Sequence, residues 1–314
     1  MLFLGIDTSA YTSSVALVDD ENNLIWEARR ILEVPEGEKG LAQSEALFHH
    51  VRILPELIAT LPTNLWQNVG GIGVSAAPRP VENSYMPVFL SGMGIASTLA
   101  SALQVPLIKT THQEGHLAAG IASAENFNAA EFLAVHLSGG TTEVLRVQKR
   151  ERGKIDPVIL GATTDLHAGQ FIDRVGVRLG LTFPAGKELE KLALRAAPGS
   201  ASLLPSSVKG YEMSFSGVES AAQRMISDQK RPADIAQAVL GCLVRTLDKV
   251  LKTAVRDTGL TNILIVGGVA SNKYIRTELT KKLQAQAKLY WAKPEWSSDN
   301  AIGVAMLTRE TILK

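Results

Sequence analysis

The chain has 314 residues and a mass of 33.7 kDa, enough for two domains that each bury a core. Its 32 basic and 31 acidic residues leave a net charge of +1, so no global field draws it onto nucleic acid or an anionic membrane, and any polyanion must be held by a local patch. Hydrophobic residues at 46% and charged residues at 20% exclude a disordered chain, while the single cysteine, Cys242, excludes a disulfide framework or a thiolate metal cluster within one chain.

A cytoplasmic protein is therefore expected, and the opening stretch from Met1 to Asp7 reaches an acid too early for a secretory signal. Apolar runs of strand length alternate with amphipathic stretches of helical length, which predicts an α/β fold. Residues 2–6, 15–18 and 24–27 read as strands, with 19–23 as the tight turn between the last two. Helical periodicity runs over 44–61, followed by a strand over 69–74, a small-residue helix over 88–103 and a strand over 105–108. No charge appears between Glu82 and Lys109, but Pro87, Gly92, Gly94 and Pro106 interrupt that stretch, so a helix buried against a sheet is expected and not a membrane span.

Phe3-Leu4-Gly5-Ile6-Asp7-Thr8-Ser9 superposes on Phe132-Leu133-Ala134-Val135-His136-Leu137-Ser138, 129 residues later. The register continues without a gap, placing Thr12 on Thr141, Ser13 on Thr142, Val15 on Val144 and Val18 on Val147. Each copy reads strand, small polar turn, strand, charged turn, strand. A duplication is expected, with lobes over 1–130 and 131–314. Backbone N–H groups and hydroxyls in such turns suit phosphate oxygens, so two of them would face a nucleotide across a cleft. Gly267-Gly268, between a strand over 263–266 and a helix over 271–286, is a third turn of this kind. No Walker-type phosphate loop and no G-x-G-x-x-G fingerprint is present, which leaves a paired-turn, actin-like nucleotide cleft.

Chemistry-bearing residues cluster in short motifs. His112 and His116 stand at i and i+4 behind Thr111, a candidate N-cap, and both imidazoles would face one cation. Gln113 occupies the position where a zinc protease of the H-E-x-x-H type needs its glutamate, which disfavours that chemistry. Asp299 precedes an apolar helical run and reads either as an N-cap or as a ligand, and His136 ends a strand as a packed residue or a further ligand. Ser138-Gly139-Gly140 is the second phosphate-type turn, Asp173 falls on a helix, and Asn272 opens one as a cap or a base- or ribose-reading amide. Arg146, Lys149, Arg150, Arg152 and Lys154 form a basic patch that reads as a solvated hairpin.

In their joint order these motifs resemble the TsaD-type family of universal tRNA threonylcarbamoyladenosine synthases, once labelled M22 peptidases, over essentially the whole chain. Gly5 to Ser9 matches the family's G-I-E-T-S, His112 to His116 its H-x-E-G-H and Ser138 to Gly140 its S-G-G turn. Ala168-Gly169 with Asp173, Phe183 to Gly186, Ser214 to Gly217, Gly267 to Asn272 and Ser298 to Asn300 match further family segments. The resemblance implies a duplicated actin-like or Hsp70-like fold that binds an adenylate or ATP-like nucleotide beside one iron or zinc ion. His112, His116 and Asp299 would ligate that ion, with His136 where archaeal and eukaryotic members carry a tyrosine ligand. Ser138, Gly139, Gly140, Asp173, Gly186 and Asn272 would hold the nucleotide. The implied reaction transfers a threonylcarbamoyl group from its adenylate to the exocyclic amine of the adenosine beside the tRNA anticodon. Implied partners are tRNA, a smaller inactive paralogue and an ATPase, with no membrane.

Four departures stand out. The family's C-D-E-T is Ala10-Tyr11-Thr12-Ser13 here, so Tyr11 and Thr12 replace both acids of the presumed catalytic loop. G-P-G becomes Ala77-Pro-Arg-Pro80, the histidine after S-G-G is Thr141, and the glutamate of A-G-E is Gln170. A divergent paralogue is the expectation, either an active carbamoyl transferase or a nucleotide- and metal-binding protein with a regulatory or scaffolding role. No nucleophile–base arrangement supports a peptidase.

Overall fold

The computed structural model describes residues 1–9, 11–34 and 41–313, and for Arg152 the backbone alone. In chain order the elements are β1 (Leu2–Ser9), β2 (Thr12–Asp19), β3 (Leu24–Ile31), α1 (Gln43–Ala59), α2 (Thr63–Trp66), β4 (Val69–Ala77), α3 (Phe89–Leu103), β5 (Leu107–Thr111) and α4 (His112–Ser123). They continue with β6 (Glu131–Leu137), β7 (Thr142–Lys149), β8 (Ile155–Ala162), α5 (Ala168–Arg178), α6 (Gly186–Ala193), β9 (Val208–Lys209), β10 (Glu212–Met213), α7 (Ser216–Ser227) and α8 (Pro232–Thr258). The chain closes with β11 (Asn262–Val266), α9 (Lys273–Leu283), β12 (Lys288–Trp291), α10 (Pro294–Ser297) and α11 (Ile302–Leu313). Contacts divide it into two units, one of residues 1–123, 148–157 and 295–314 and one of 124–147 and 158–294.

The first unit is built on a five-stranded sheet in the order β3-β2-β1-β4-β5. β1 is buried along its whole length because both faces are covered, which explains an apolar run without alternation. Leu4, Ile6, Ile72 and Val74 pack with Leu54 of α1 and Ala96 of α3, whereas Phe3 and Ala16 pack with Ala301 and Ala305 at the start of α11. α3 buries Gly92, Ala96 and Ala100, so its small residues serve close packing, and no helix among the described residues is long and apolar enough to cross a membrane.

The second unit repeats the plan. Its sheet order, β12-β11-β6-β7-β8, is the first order with β6, β7, β8, β11 and β12 in the places of β1, β2, β3, β4 and β5. The register repeats as well: Leu4 pairs with Ile72 and Ile6 with Val74, while Leu133 pairs with Ile263 and Val135 with Ile265. The duplication read from 129-residue self-similarity is thus present in the hydrogen-bonding of both sheets. The core of this unit gathers Leu133, Val135 and Val144 of the sheet against Phe171 of α5, Phe215 and the apolar face of the 27-residue α8.

Two boundaries differ from the sequence reading for identifiable reasons. Gln104 adopts a left-handed conformation (φ 55°) and Val105 N–H donates to the Ala100 carbonyl, so Val105 closes α3 and β5 begins two residues later than expected. A 3-10 turn spans residues 268–271, and α9 starts at Lys273 with the Asn272 side chain accepting from Ile275 N at 2.9 Å.

One anchor of the second unit carries no signal in the sequence. Asp165 accepts hydrogen bonds from Leu166 N, Phe215 N and the hydroxyls of Ser214 and Ser216, tying the loop before α5 to the start of α7. The Ser214-Phe-Ser-Gly217 motif is thereby given a structural role. Burial works against the Asp165 carboxylate, but these donors outweigh it and hold its pKa well below 3.8. Asp165→Ala should lower unfolding free energy in urea by about 1–2 kcal/mol. With a folded pKa below the unfolded one, that contribution is complete above the unfolded value of 3.8 and fades as pH falls towards the folded one, a step the variant should lack.

Candidate metal centre

His112 and His116 lie on the first turns of α4, and the motif around them is accounted for residue by residue. Glu114 accepts from Thr111 N at 2.9 Å and from the Thr111 hydroxyl at 2.7 Å, while Glu114 N reaches the same hydroxyl at 3.3 Å. This reciprocal cap fixes where the helix begins. Gln113 N donates to the Pro78 carbonyl, so the Ala77-Pro-Arg-Pro80 loop that departs from the family pattern docks on the same helix start.

Gly115 and Gly303 bring α4 and α11 into contact. A Cβ on Gly303 would fall on the Gly115 carbonyl oxygen and within 2.9 Å of Ala119 N, so only glycine permits this approach. Asp299 precedes α11 in a braced loop. Asn300 accepts from Ile302 N at 3.0 Å and donates to the Trp296 and Ser298 carbonyls, and the Ser14 hydroxyl accepts from Ala301 N. Arg29 of β3 reaches across to the Glu295 carbonyl and the Ser298 hydroxyl, each at 3.0 Å. Asn300 and Ser14 satisfy the helix start, which leaves the Asp299 carboxylate to face the two imidazoles.

His112 Nε2 and His116 Nε2 are 3.1 Å apart, Asp299 Oδ1 lies 3.2 Å from His116 Nε2, and it lies 3.6 Å from His112 Nε2. Ligands bound tetrahedrally at about 2.0–2.1 Å sit about 3.3–3.4 Å from one another. The three atoms therefore fit a coordination tetrahedron, and among the described residues they form the one group of at least three such ligands within 4.8 Å. His116 is almost fully buried, while His112 and Asp299 keep 16% and 24% of their side-chain surface, which leaves one side of the site open.

The electrostatics point the same way. Burial works against charge on the His112 ring, yet the carboxylates of Asp7 and Asp299 carry its pKa up to about 9. Burial and the neighbouring His112 push His116 down. Burial opposes ionisation of Asp299, but both imidazoles hold its carboxyl at about 2. The carboxylates of Asp7 and Asp299 thus favour positive charge beside them at this site. Asp7 was not among the predicted ligands; its Oδ2 stands 2.9 Å from His112 Nδ1. In the repeat, Asp7 and His136 occupy equivalent positions.

His136 and the predicted nucleotide-binding residues lie in the second unit. His136 is buried at the end of β6. Ser138 N donates to the Thr141 carbonyl, and Gly140 N lies 3.3 Å from the Ser138 hydroxyl, closing the turn. α5 abuts this turn: Gly169 N donates to the Ser138 carbonyl and Ala168 N to the Thr142 hydroxyl, and a Cβ on Gly169 would come within 2.8 Å of Gly139. Gln170 accepts from His167 N at 3.1 Å, so this departure acts as a helix cap. Asp173 accepts from Ala185 N at 2.8 Å beside Gly186, and burial raises its pKa to about 6. Gly139, Gly140 and Gly186 all border open space. Asn272 serves as the cap described above. Thr12 opens β2, buried and paired with Ser9, and Tyr11 lies in the turn before it, while Ala10 lies outside the described residues. Arg146 is paired with Glu131 and Arg150 with Asp156, in keeping with a solvated hairpin; the Arg152 side chain lies outside the description.

Residues 43–306 match the family model described as TsaD, tRNA N6-adenosine threonylcarbamoyltransferase. A probable bifunctional tRNA threonylcarbamoyladenosine biosynthesis protein from Methanothermobacter thermautotrophicus is 30% identical over 98% of this chain, and the chain spans 55% of that relative's length. A tRNA N6-adenosine threonylcarbamoyltransferase from Methanopyrus kandleri is 29% identical, covering 97% of this chain and 86% of that protein. Among solved structures, HypF of T. kodakarensis matches with a TM-score of 0.63 at 17% identity, over 99% of this chain and 47% of that one. At that identity the likeness shows the fold alone, which is the duplicated actin-like α/β fold.

Gly303→Ala should force α11 off α4, at a cost of about 1–3 kcal/mol. Calorimetric titration with Zn2+ should show weaker binding in this variant, although every ligand is retained.

Proposed function

Because this chain belongs to the TsaD family of tRNA N6-adenosine threonylcarbamoyltransferases, we propose that it is a metal-dependent acyltransferase acting on tRNA. The donor is threonylcarbamoyl-adenylate and the acceptor is the exocyclic amine of the adenosine beside the anticodon. The observation that carries this reading is the tetrahedral spacing of His112 Nε2, His116 Nε2 and Asp299 Oδ1 on a chain with the family's motif order.

His112, His116 and Asp299 would hold one iron or zinc ion. When bound, such an ion supplies Lewis acidity to a carbonyl oxygen. Gly139 and Gly140 of the Ser138–Gly140 turn border open space and would let the adenylate phosphate approach the backbone there. Asp173 is suited to accept from a ribose hydroxyl through the oxygen that Ala185 N does not use. Gly186 lets a nucleotide approach the backbone, and Asn272 retains its amide hydrogens after capping with Oδ1. In the transfer the amine nitrogen forms a bond to the carbamoyl carbon, the carbon–oxygen bond to phosphate breaks, AMP departs with the electron pair, and one amine proton passes to solvent.

A second reading rests on Tyr11 and Thr12. Neither is a carboxylate, and Thr12 is locked in the β1–β2 ladder, which fits a regulatory paralogue that binds nucleotide and metal without turnover. The near-neutral charge also argues that tRNA is gripped with help, for which the smaller inactive paralogue and the ATPase of the modification system are the candidates.

Purified chain, metal, threonylcarbamoyl-adenylate and tRNA, with and without those companions, should yield N6-threonylcarbamoyladenosine by nucleoside mass spectrometry. His112→Ala should lose at least about a hundredfold of that rate. Nucleotide binding without product under every combination would favour the second reading.

A further inference from the structure

Asp7 holds a buried position with every hydrogen bond specified. Its side chain is 1% exposed. Oδ1 accepts from Ser9 N at 2.9 Å, and Oδ2 accepts from the Ser75 hydroxyl at 2.5 Å while standing 2.9 Å from His112 Nδ1. An ionised carboxylate has no hydrogen to give, so the hydrogen between Nδ1 and Oδ2 is supplied by the ring. That leaves Nε2, the atom facing His116 and Asp299, as the nitrogen whose lone pair is presented to a cation.

We infer that Asp7, steadied by Ser75, is the positioning residue that fixes the tautomer and ring plane of His112 for metal binding. The inference rests on the metal reading of the site given above. Its force comes from the geometry on both sides of the ring: Nδ1 is aimed at Asp7 and Nε2 at the other two ligands, so one rotation of the imidazole would break both sets of contacts. Carboxylates behind metal-binding imidazoles work in this way generally, and their loss typically costs 10–100-fold in metal affinity.

Asp7→Asn tests this with almost no change in shape. Ser9 N still requires an acceptor at the Oδ1 position, which sends the new amide nitrogen to the place of Oδ2, against His112 Nδ1. That NH2 group donates, so the ring must accept on Nδ1 and carry its proton on Nε2, where the metal would bind. Competition titration of the full chain with Zn2+ should show one site in the wild type and an affinity about 10–100-fold lower in Asp7→Asn, with thermal unfolding confirming a folded variant. Histidine-labelled, Zn2+-loaded wild type should show by nitrogen NMR a proton on His112 Nδ1 and metal on Nε2.

Affinity in a folded Asp7→Asn within twofold of wild type overturns the inference, as does a zinc-bound His112 protonated on Nε2. If the variant does not fold, the wild-type NMR result decides alone. Wild type that takes up no stoichiometric Zn2+ overturns the metal reading itself, a result distinct from weak binding confined to the variant.

Discussion

The candidate metal centre depends on how closely two helices approach. α4 carries two imidazoles on successive turns, and α11 follows the loop that carries one carboxylate. Neither arrangement makes a site alone. The three donor atoms converge because Gly303 lies on the Gly115 carbonyl, a distance that any side chain would prevent. The supporting interactions serve the same end: Thr111 and Glu114 set the start of one helix, while Asn300, Ser14 and Arg29 brace the approach to the other. Rigid elements with satisfied caps are what hold ligands to the tolerance that coordination requires.

Much of this was legible in the sequence because it is local. The i, i+4 histidines place themselves on one face of a helix, Thr111 announces a cap, and the gapless repeat predicts two sheets of one topology, which both sheets display. What was not legible depends on contacts distant in sequence. Asp7 reads as one more residue at the end of a strand until β1, β4 and α4 are assembled around it. Asp299 reads as a cap until Asn300 is seen to take that role. Asp165 reaches donors about fifty residues away, a pairing that no periodicity encodes.

The duplication shows how one plan has diverged at equivalent positions. At the equivalent strand ends the first copy carries Asp7 and the second His136, and the turns that follow have diverged. In the first copy, Thr8 and Ser9 continue the ladder with Ser13 and Thr12, whereas in the second the chain leaves the sheet at Ser138 and opens into two glycines. The first unit thus gathers two helix-borne imidazoles and one loop carboxylate, and the second presents an open glycine turn against the start of a helix. The altered positions are also separable by role. Gln170 supplies a cap and the Pro78 carbonyl docks α4, while Tyr11 and Thr12 are uncharged where the resemblance implies two acids.

X-ray absorption at the zinc edge of the Zn2+-loaded protein tests the central claim most directly, since it reads the identity of the atoms around the ion. The account predicts a nitrogen and oxygen shell at about 2.0–2.1 Å with the outer scattering of at least two imidazoles, lost in His116→Ala. A shell without imidazole scattering, or one unchanged by His116→Ala, would contradict it.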